Sequence, residues 1–217
     1  MIDPKTYVRL HGRYDRDEDK GDLLESAFES DTPPEDPFVL LLPPTMKGFK
    51  MHDKKWVDLD VARVSDVTWN TQAFKSLVAD GETKDLIEAL VRNKLETQQA
   101  TDLIDGKGNG LIILLHGGPG TGKTFTAESV AEIAQKPLYR VTCGDIGITP
   151  ERVEEYLESV LYLGRLWGCV VLLDEADVFL EERTLTDLQR NALVSVFLRV
   201  LEYYSGMLCC AFKLLGC

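Results

Sequence analysis

Eight residues, Gly117-Gly118-Pro119-Gly120-Thr121-Gly122-Lys123-Thr124, stand between an apolar run at 111–116 and a segment with helical spacing at 125–134. This order of strand, glycine turn and helix constrains the fold more than any other feature of the chain. It calls for a β-strand that ends in a tight turn of small residues and feeds straight into a helix, the opening of an α/β unit on a parallel sheet. The turn also has a chemical consequence. Glycines let backbone N–H groups come close to an oxyanion, and a helix starting near Lys123 points its positive end at the same place. The pattern G-x-x-x-x-G-K-[ST] is that of a phosphate-binding loop. Its four fixed positions recur by chance in roughly one chain per hundred of this length, and the flanking strand and helix make coincidence rarer.

A triphosphate brings several negative charges to such a loop. Gly117, Gly118, Pro119, Gly120, Thr121, Gly122, Lys123, Thr124 and Phe125 are therefore the candidate nucleotide-binding residues. Lys123 is expected to reach the β- and γ-phosphates, and the Thr124 hydroxyl to ligate Mg²⁺. A second element, Leu172-Leu173-Asp174-Glu175-Ala176-Asp177, starts its acid pair 51 residues beyond Lys123. Four apolar residues followed by Asp-Glu is the Walker B pattern. Asp174, at a strand tip, is expected to hold Mg²⁺ through its water shell, and Glu175 to polarise an attacking water. Phosphoryl transfer to a small acceptor needs no acid aimed at water, whereas hydrolysis does. The candidate catalytic set is Glu175, Lys123 and Asp174, the metal ligands are Thr124 and Asp174, and the chemistry is that of an NTPase rather than a P-loop kinase.

The 217 residues are 44% hydrophobic, enough for one α/β domain with a real core plus an extension. A net charge of −12 argues against a general nucleic-acid surface. About half of it falls in the first 38 residues, with 11 acids against 5 bases. The five cysteines (Cys143, Cys169, Cys209, Cys210, Cys217) have no metal spacing and read as buried or free thiols in a reducing compartment. Residues 1–12 have no apolar leader pattern, and the run 38–42 is too short to span a bilayer. The expectation is a soluble intracellular protein, cytoplasmic or nuclear, with no membrane segment.

Composition divides the chain into an acidic, disordered stretch at 1–37, a β-rich plus helical extension at 38–100, and a nucleotide-binding core at 101–217. Scattered apolar residues in the first stretch leave room for a short docked helix. In the extension, 39–42 is strand-like, 46–49 suggests a turn or bulge, and 55–61 alternates as a strand. Trp56, Trp69 and Phe49 read as packing residues. Residues 71–95 read as helical, with Phe74, Leu77 and Val78 on one side and Leu86, Ile87, Leu90 and Val91 as a stripe. In the core, Ala127, Val130, Ala131 and Ala134 face a sheet from the helix after the glycine loop. Strands are expected at 137–142 and 169–173, and a further one at 207–212. A helix follows Thr149-Pro150, and another runs from about 186 to 204 with Leu188, Ala192, Leu193, Val196, Phe197 and Val200 inward.

The loop at 117–124, together with Asp174-Glu175-Ala176-Asp177-Val178-Phe179-Leu180-Glu181-Glu182-Arg183, resembles the AAA subfamily of AAA+ ATPases. Residues 38–206 are more closely similar to a group of large, mostly fungal AAA proteins, through Lys55-Trp56-Val57, the Trp69 to Phe74 element and the stretch 190–204. The resemblance implies a P-loop NTPase (AAA+) parallel-sheet sandwich, ATP and Mg²⁺ as ligands, and a homo-oligomeric ring that remodels a protein substrate its sequence does not name. It also implies that Arg183 lies near a subunit interface and that 105–108 lies near the adenine. The segment 143–148 lacks the aromatic pore residue of many AAA cores.

The family pattern breaks after Gly206. The resemblance implies a Thr-Asn-like sensor 1, an arginine finger, a fifth core strand, a sensor 2 arginine and a helical lid, and the last eleven residues, rich in Cys and Leu, carry none of them. The family's strand order 5-1-4-3-2 would then lose strand 5 and leave the P-loop strand an open edge. The expectation is a core incomplete at its C-terminal side, from a truncated or mis-spliced product. Two functions stay open: ATP hydrolysis by an AAA-type core, or an ATP-binding interaction module with little hydrolysis.

Overall fold

The computed structural model describes residues 1–12, 42–97, 110–142, 150–177 and 188–213. The expected features at 39–41, 105–108 and 143–148, and Arg183, lie outside the described residues. The chain divides into two compact units, Met1–Val67 and Thr68–Cys217.

The first unit is a helix and a hairpin. Helix α1 (Pro4–His11) starts where Asp3 Oδ1 accepts the Thr6 N–H at 2.9 Å and Pro4 occupies the first turn. Strands β1 (Thr45–Lys50) and β2 (Lys55–Asp60) pair antiparallel, Gly48 opposite Val57 and Phe49 opposite Trp56. The expected turn at 46–49 is thus a strand. The glycine that suggested a turn serves a close approach instead, since a Cβ on Gly48 would lie 2.2 Å from Leu59 Cδ1. Trp56 packs edge-on to Phe49 at 5.3 Å and to Tyr7 at 5.2 Å, the packing role read from the sequence.

The second unit holds the sheet. It begins with α2 (Gln72–Lys75) and α3 (Gly81–Thr97). The single helix expected over 71–95 is broken because Asp80 starts a new one, accepting the Thr83 N–H and hydroxyl at 2.7 Å each. The break throws Val78 out to full exposure, while Phe74 and Leu77 stay buried. Along α3 only half of the expected stripe turns inward: Ile87 and Val91 are buried, Leu86 and Leu90 exposed.

Strands β3 (Leu111–Gly117), β4 (Leu138–Thr142), β5 (Val170–Asp174) and β6 (Met207–Lys213) alternate with helices α4 (Lys123–Ala134), α5 (Pro150–Leu166) and α6 (Leu188–Glu202). All strand pairs are parallel, in the order β3-β6-β5-β4. This is the expected family order 1-4-3-2, with β3 at the edge of the described sheet. Residues 207–213 form the strand, and the strand lies inside the sheet because Met207 to Ala211 are all apolar and buried, as a strand covered on both faces requires.

One face of the sheet is covered by α4. Ala127, Val130, Ala131 and Ala134 join Val170, Leu172, Met207, Cys209 and Ala211 in one core, which Phe74, Leu77, Ile87 and Val91 extend. Pleating sends Val171, Leu173, Leu208 and Cys210 to the opposite face. There α5 packs on β5 and on α6, with Val153, Leu157, Val160 and Leu161 buried. Gly164 permits the approach of α5, since a Cβ there would meet Val171 Cγ2 at 2.4 Å. Of the inward residues read from spacing on α6, Phe197 is buried, Leu193, Val196 and Val200 are half-buried and Ala192 is exposed, while Val194 and Leu201 complete the buried stripe. That helix is apolar on most sides, so periodicity alone did not select the face that meets α5. Cys169, Cys209 and Cys210 are buried, and burial pushes the thiols of Cys169 and Cys209 up to about 12. Among the described residues no helix is long and apolar enough to cross a membrane.

Candidate nucleotide site

The candidate residues gather at the C-terminal ends of the parallel strands, where α/β sheets place ligands. From the end of β3, Gly117 to Gly122 turn into α4. Gly117, Gly120 and Gly122 have φ of +151°, +77° and +86°, a region that favours glycine. At Gly117 a Cβ would also lie 2.8 Å from Thr121 Oγ1. The loop is tied from within: the Thr121 hydroxyl donates to the Gly118 carbonyl at 2.9 Å. Lys123 Nζ donates to the carbonyls of Gly117 at 2.8 Å and Gly118 at 2.6 Å. The lysine therefore sits folded over the loop that its own helix begins. Pro119 lies within the turn, and Phe125, one residue past Thr124 on α4, is 41% exposed.

The acid pair lies at the end of β5. Asp174 Oδ2 accepts from the Thr124 hydroxyl at 3.5 Å, so the two expected metal ligands meet although they are far apart in sequence. Two hard oxygen donors facing one point fit a small divalent cation such as Mg²⁺. Asp174 Oδ2 also accepts from Arg140 of β4 at 2.7 Å. Glu175 has a φ of +59°, left-handed for a residue with a side chain. Its N–H donates to Asp174 Oδ1 at 3.0 Å, and its carboxylate forms an ion pair with Lys213 Nζ at the end of β6. This carboxylate, with Asp177 and Asp174 adding to it, raises Lys213 above the ordinary lysine value.

All nine nucleotide-binding candidates and both acids thus lie at the C-terminal end of the sheet. Arg140 and Lys213 complete the cluster and were missed by sequence reading. A faint signal existed for each. Lys213 is the one charged residue in 207–217, and Arg140 is a basic residue in an otherwise uncharged strand.

Residues 113–211 match the model of the family described as "ATPase family associated with various cellular activities (AAA)". The match is a little under half of the chain, and it reaches Ala211, so most of β6 lies within it. The departure from the family pattern read at residue 207 is corrected to that extent. Among curated proteins, the ATP-dependent zinc metalloprotease FtsH of Cupriavidus metallidurans is 29% identical over 121 residues, 54% of this chain and 18% of that protein. The Lon protease of Mycolicibacterium smegmatis is 28% identical over 149 residues, 56% of this chain and 19% of that protein. Among solved structures, the FIGL-1 AAA domain in complex with ADP aligns with a TM-score of 0.48 at 18% identity, covering 70% of this chain and 52% of that one. The chain spans about a fifth of the length of the curated relatives it matches.

Proposed function

We propose, with residues 113–211 taken as an AAA-family ATPase domain, that this chain binds ATP with Mg²⁺ and hydrolyses it. The observation that carries the reading is the meeting of Thr124 and Asp174 at 3.5 Å, beside a glycine loop and one residue before a carboxylate at the strand end. Loop N–H groups and the start of α4 receive the phosphates, and Lys123 exchanges its carbonyl partners for phosphate oxygens. Thr124 and Asp174 hold Mg²⁺, which when bound neutralises charge developing on the phosphates. Glu175 orients and polarises a water. The ring that the resemblance to AAA ATPases implies extends the proposal to an oligomer that remodels a protein substrate, with a neighbouring copy supplying an arginine. The finer likeness to the fungal group rests on Lys55-Trp56-Val57 and on the 69–74 and 190–204 segments.

Isothermal titration of ATP with Mg²⁺ against the wild type and Lys123→Ala tests binding, and the substitution is expected to abolish it. Equal affinities would overturn the reading. Phosphate release, followed as protein concentration rises, tests hydrolysis and assembly together. Glu175→Gln is expected to retain ATP while losing turnover by about 10²-fold or more, the usual scale for a general base.

A further inference from the structure

Glu175 combines an unusual backbone conformation with a proposed chemical task, and the end of β6 holds it there. The φ of +59° is one that residues with side chains seldom adopt, so neighbours must fix it. Three successive residues of the turn are tied to β6. Glu175 is ion-paired to Lys213 Nζ, the Ala176 N–H donates to the Ala211 carbonyl at 2.9 Å, and Asp177 Oδ1 accepts the Lys213 N–H at 3.3 Å. Lys213 supplies two of these three ties. In the sheet register the same residue stands opposite Gly117, where the phosphate loop begins. It is therefore fixed by its backbone between the loop and the acid turn, with its ammonium directed to Glu175.

We infer that Lys213 is a positioning residue for Glu175, holding the carboxylate in the orientation from which it addresses the attacking water. The inference rests on the reading of Glu175 given above. Arg140 plays no equal part, because its guanidinium is bonded to Asp174. The ammonium of Lys213 faces Glu175, Asp177 and Asp174, which keep it charged well above neutral pH. It orients the base through its charge rather than by taking up a proton.

The test uses the full 217-residue chain, with Lys213→Met, Lys213→Arg and Glu175→Gln beside the wild type. ATP affinity is read by calorimetry and kcat by phosphate release. Lys213→Met is expected to lower kcat about tenfold or more, as misplacement of a reacting group does. ATP affinity should stay within about threefold in this variant, since the ammonium is engaged by Glu175. Lys213→Arg is expected to recover most of the rate. A Lys213→Met protein as fast as a wild type that itself outpaces Glu175→Gln would overturn the positioning role and leave the ATPase reading intact. A wild type no faster than Glu175→Gln would overturn the hydrolysis reading and the positioning role with it. Affinity falling in step with kcat would make Lys213 a phosphate contact, and failure of arginine to rescue would show that a cation at this position is not what orients Glu175; either overturns the inference. NMR titration of lysine Cε carbons provides a readout independent of turnover. The raised Lys213 value is expected to fall in Glu175→Gln, and an unmoved value would disprove the pair.

Discussion

The phosphate loop and the acid turn lie at the same C-terminal end of the same sheet, yet they are built in opposite ways. The loop is contiguous: eight successive residues supply its glycines, its lysine and its threonine, and its internal bonds run between residues at most six apart. The acid turn is assembled across strands. Asp174 comes from β5, its guanidinium partner from β4, and the ammonium that holds Glu175 from β6. A contiguous device is specified by local conformation, whereas an assembled one is specified by register. The two should therefore fail differently when they are broken.

The largest effect is expected at the loop. Gly117→Ala forces a side chain into a backbone with φ of +151° and places Cβ 2.8 Å from Thr121 Oγ1. Strain of this kind costs about 1–3 kcal/mol, so ATP affinity should fall by roughly five- to a hundred-and-fiftyfold. The parallel sheet is expected to survive, because its strands pair without the loop's help. Calorimetry and a thermal melt check the two halves of the statement. Unchanged affinity would show that the loop does not depend on local conformation as claimed.

A smaller effect is expected at the acid turn. Arg140 competes with a cation for Asp174 Oδ2, but its side chain is 53% exposed while Asp174 is 13% exposed. An ion pair so open to water contributes only about 0.2–1 kcal/mol. Arg140→Gln should thus lower the Mg²⁺ concentration needed for half-maximal ATP binding by about threefold. A Mg²⁺ titration at fixed ATP reads this directly. A midpoint that rises instead would mean that the guanidinium supports the metal site rather than competing with it.

Sequence reading reached the two devices unequally, for the same reason. The whole loop, the strand before it and the helix after it were legible because glycine freedom, apolar runs and helical spacing are local properties. The parallel sheet was legible too, through the fully apolar run 170–173 and the apolar start of β6. The partners of the acids were not. Nothing near Arg140 or Lys213 in the chain announces that register will set Thr142 beside Asp174 and Lys213 beside Gly117. The segment lacks a Thr-Asn pattern, and its single lysine gains a role only from what the end of that strand touches. The helix faces show a milder form of the limit. Leu86 and Ile87 are adjacent and both apolar, and only the neighbour across the interface decides that Ile87 is the one buried. The same holds for Val194 against Leu193 on α6.

The smallest effect on the site should come from α4, the helix that the loop begins. Ser129 lies on it fully buried, and its hydroxyl has no hydrogen-bond partner among the described residues. A buried hydroxyl without a partner carries its desolvation cost uncompensated, and serine is a poorer helix former than alanine. Ser129→Ala should therefore stabilise the fold by about 1 kcal/mol, read as a higher denaturant midpoint with an unchanged slope. ATP affinity should not move. Ser129 is on the third position after the helix has passed Thr126, whose hydroxyl makes the last bond back to the loop, to the Gly122 carbonyl at 3.0 Å. Beyond that bond the helix packs against the sheet through Ala127, Val130, Ala131 and Ala134. A stability gain with constant affinity would separate the part of α4 that forms the loop from the part that supports it. An affinity change of the same size would show the loop to be as dependent on distant packing as the acid turn is, and would erase the distinction between the two.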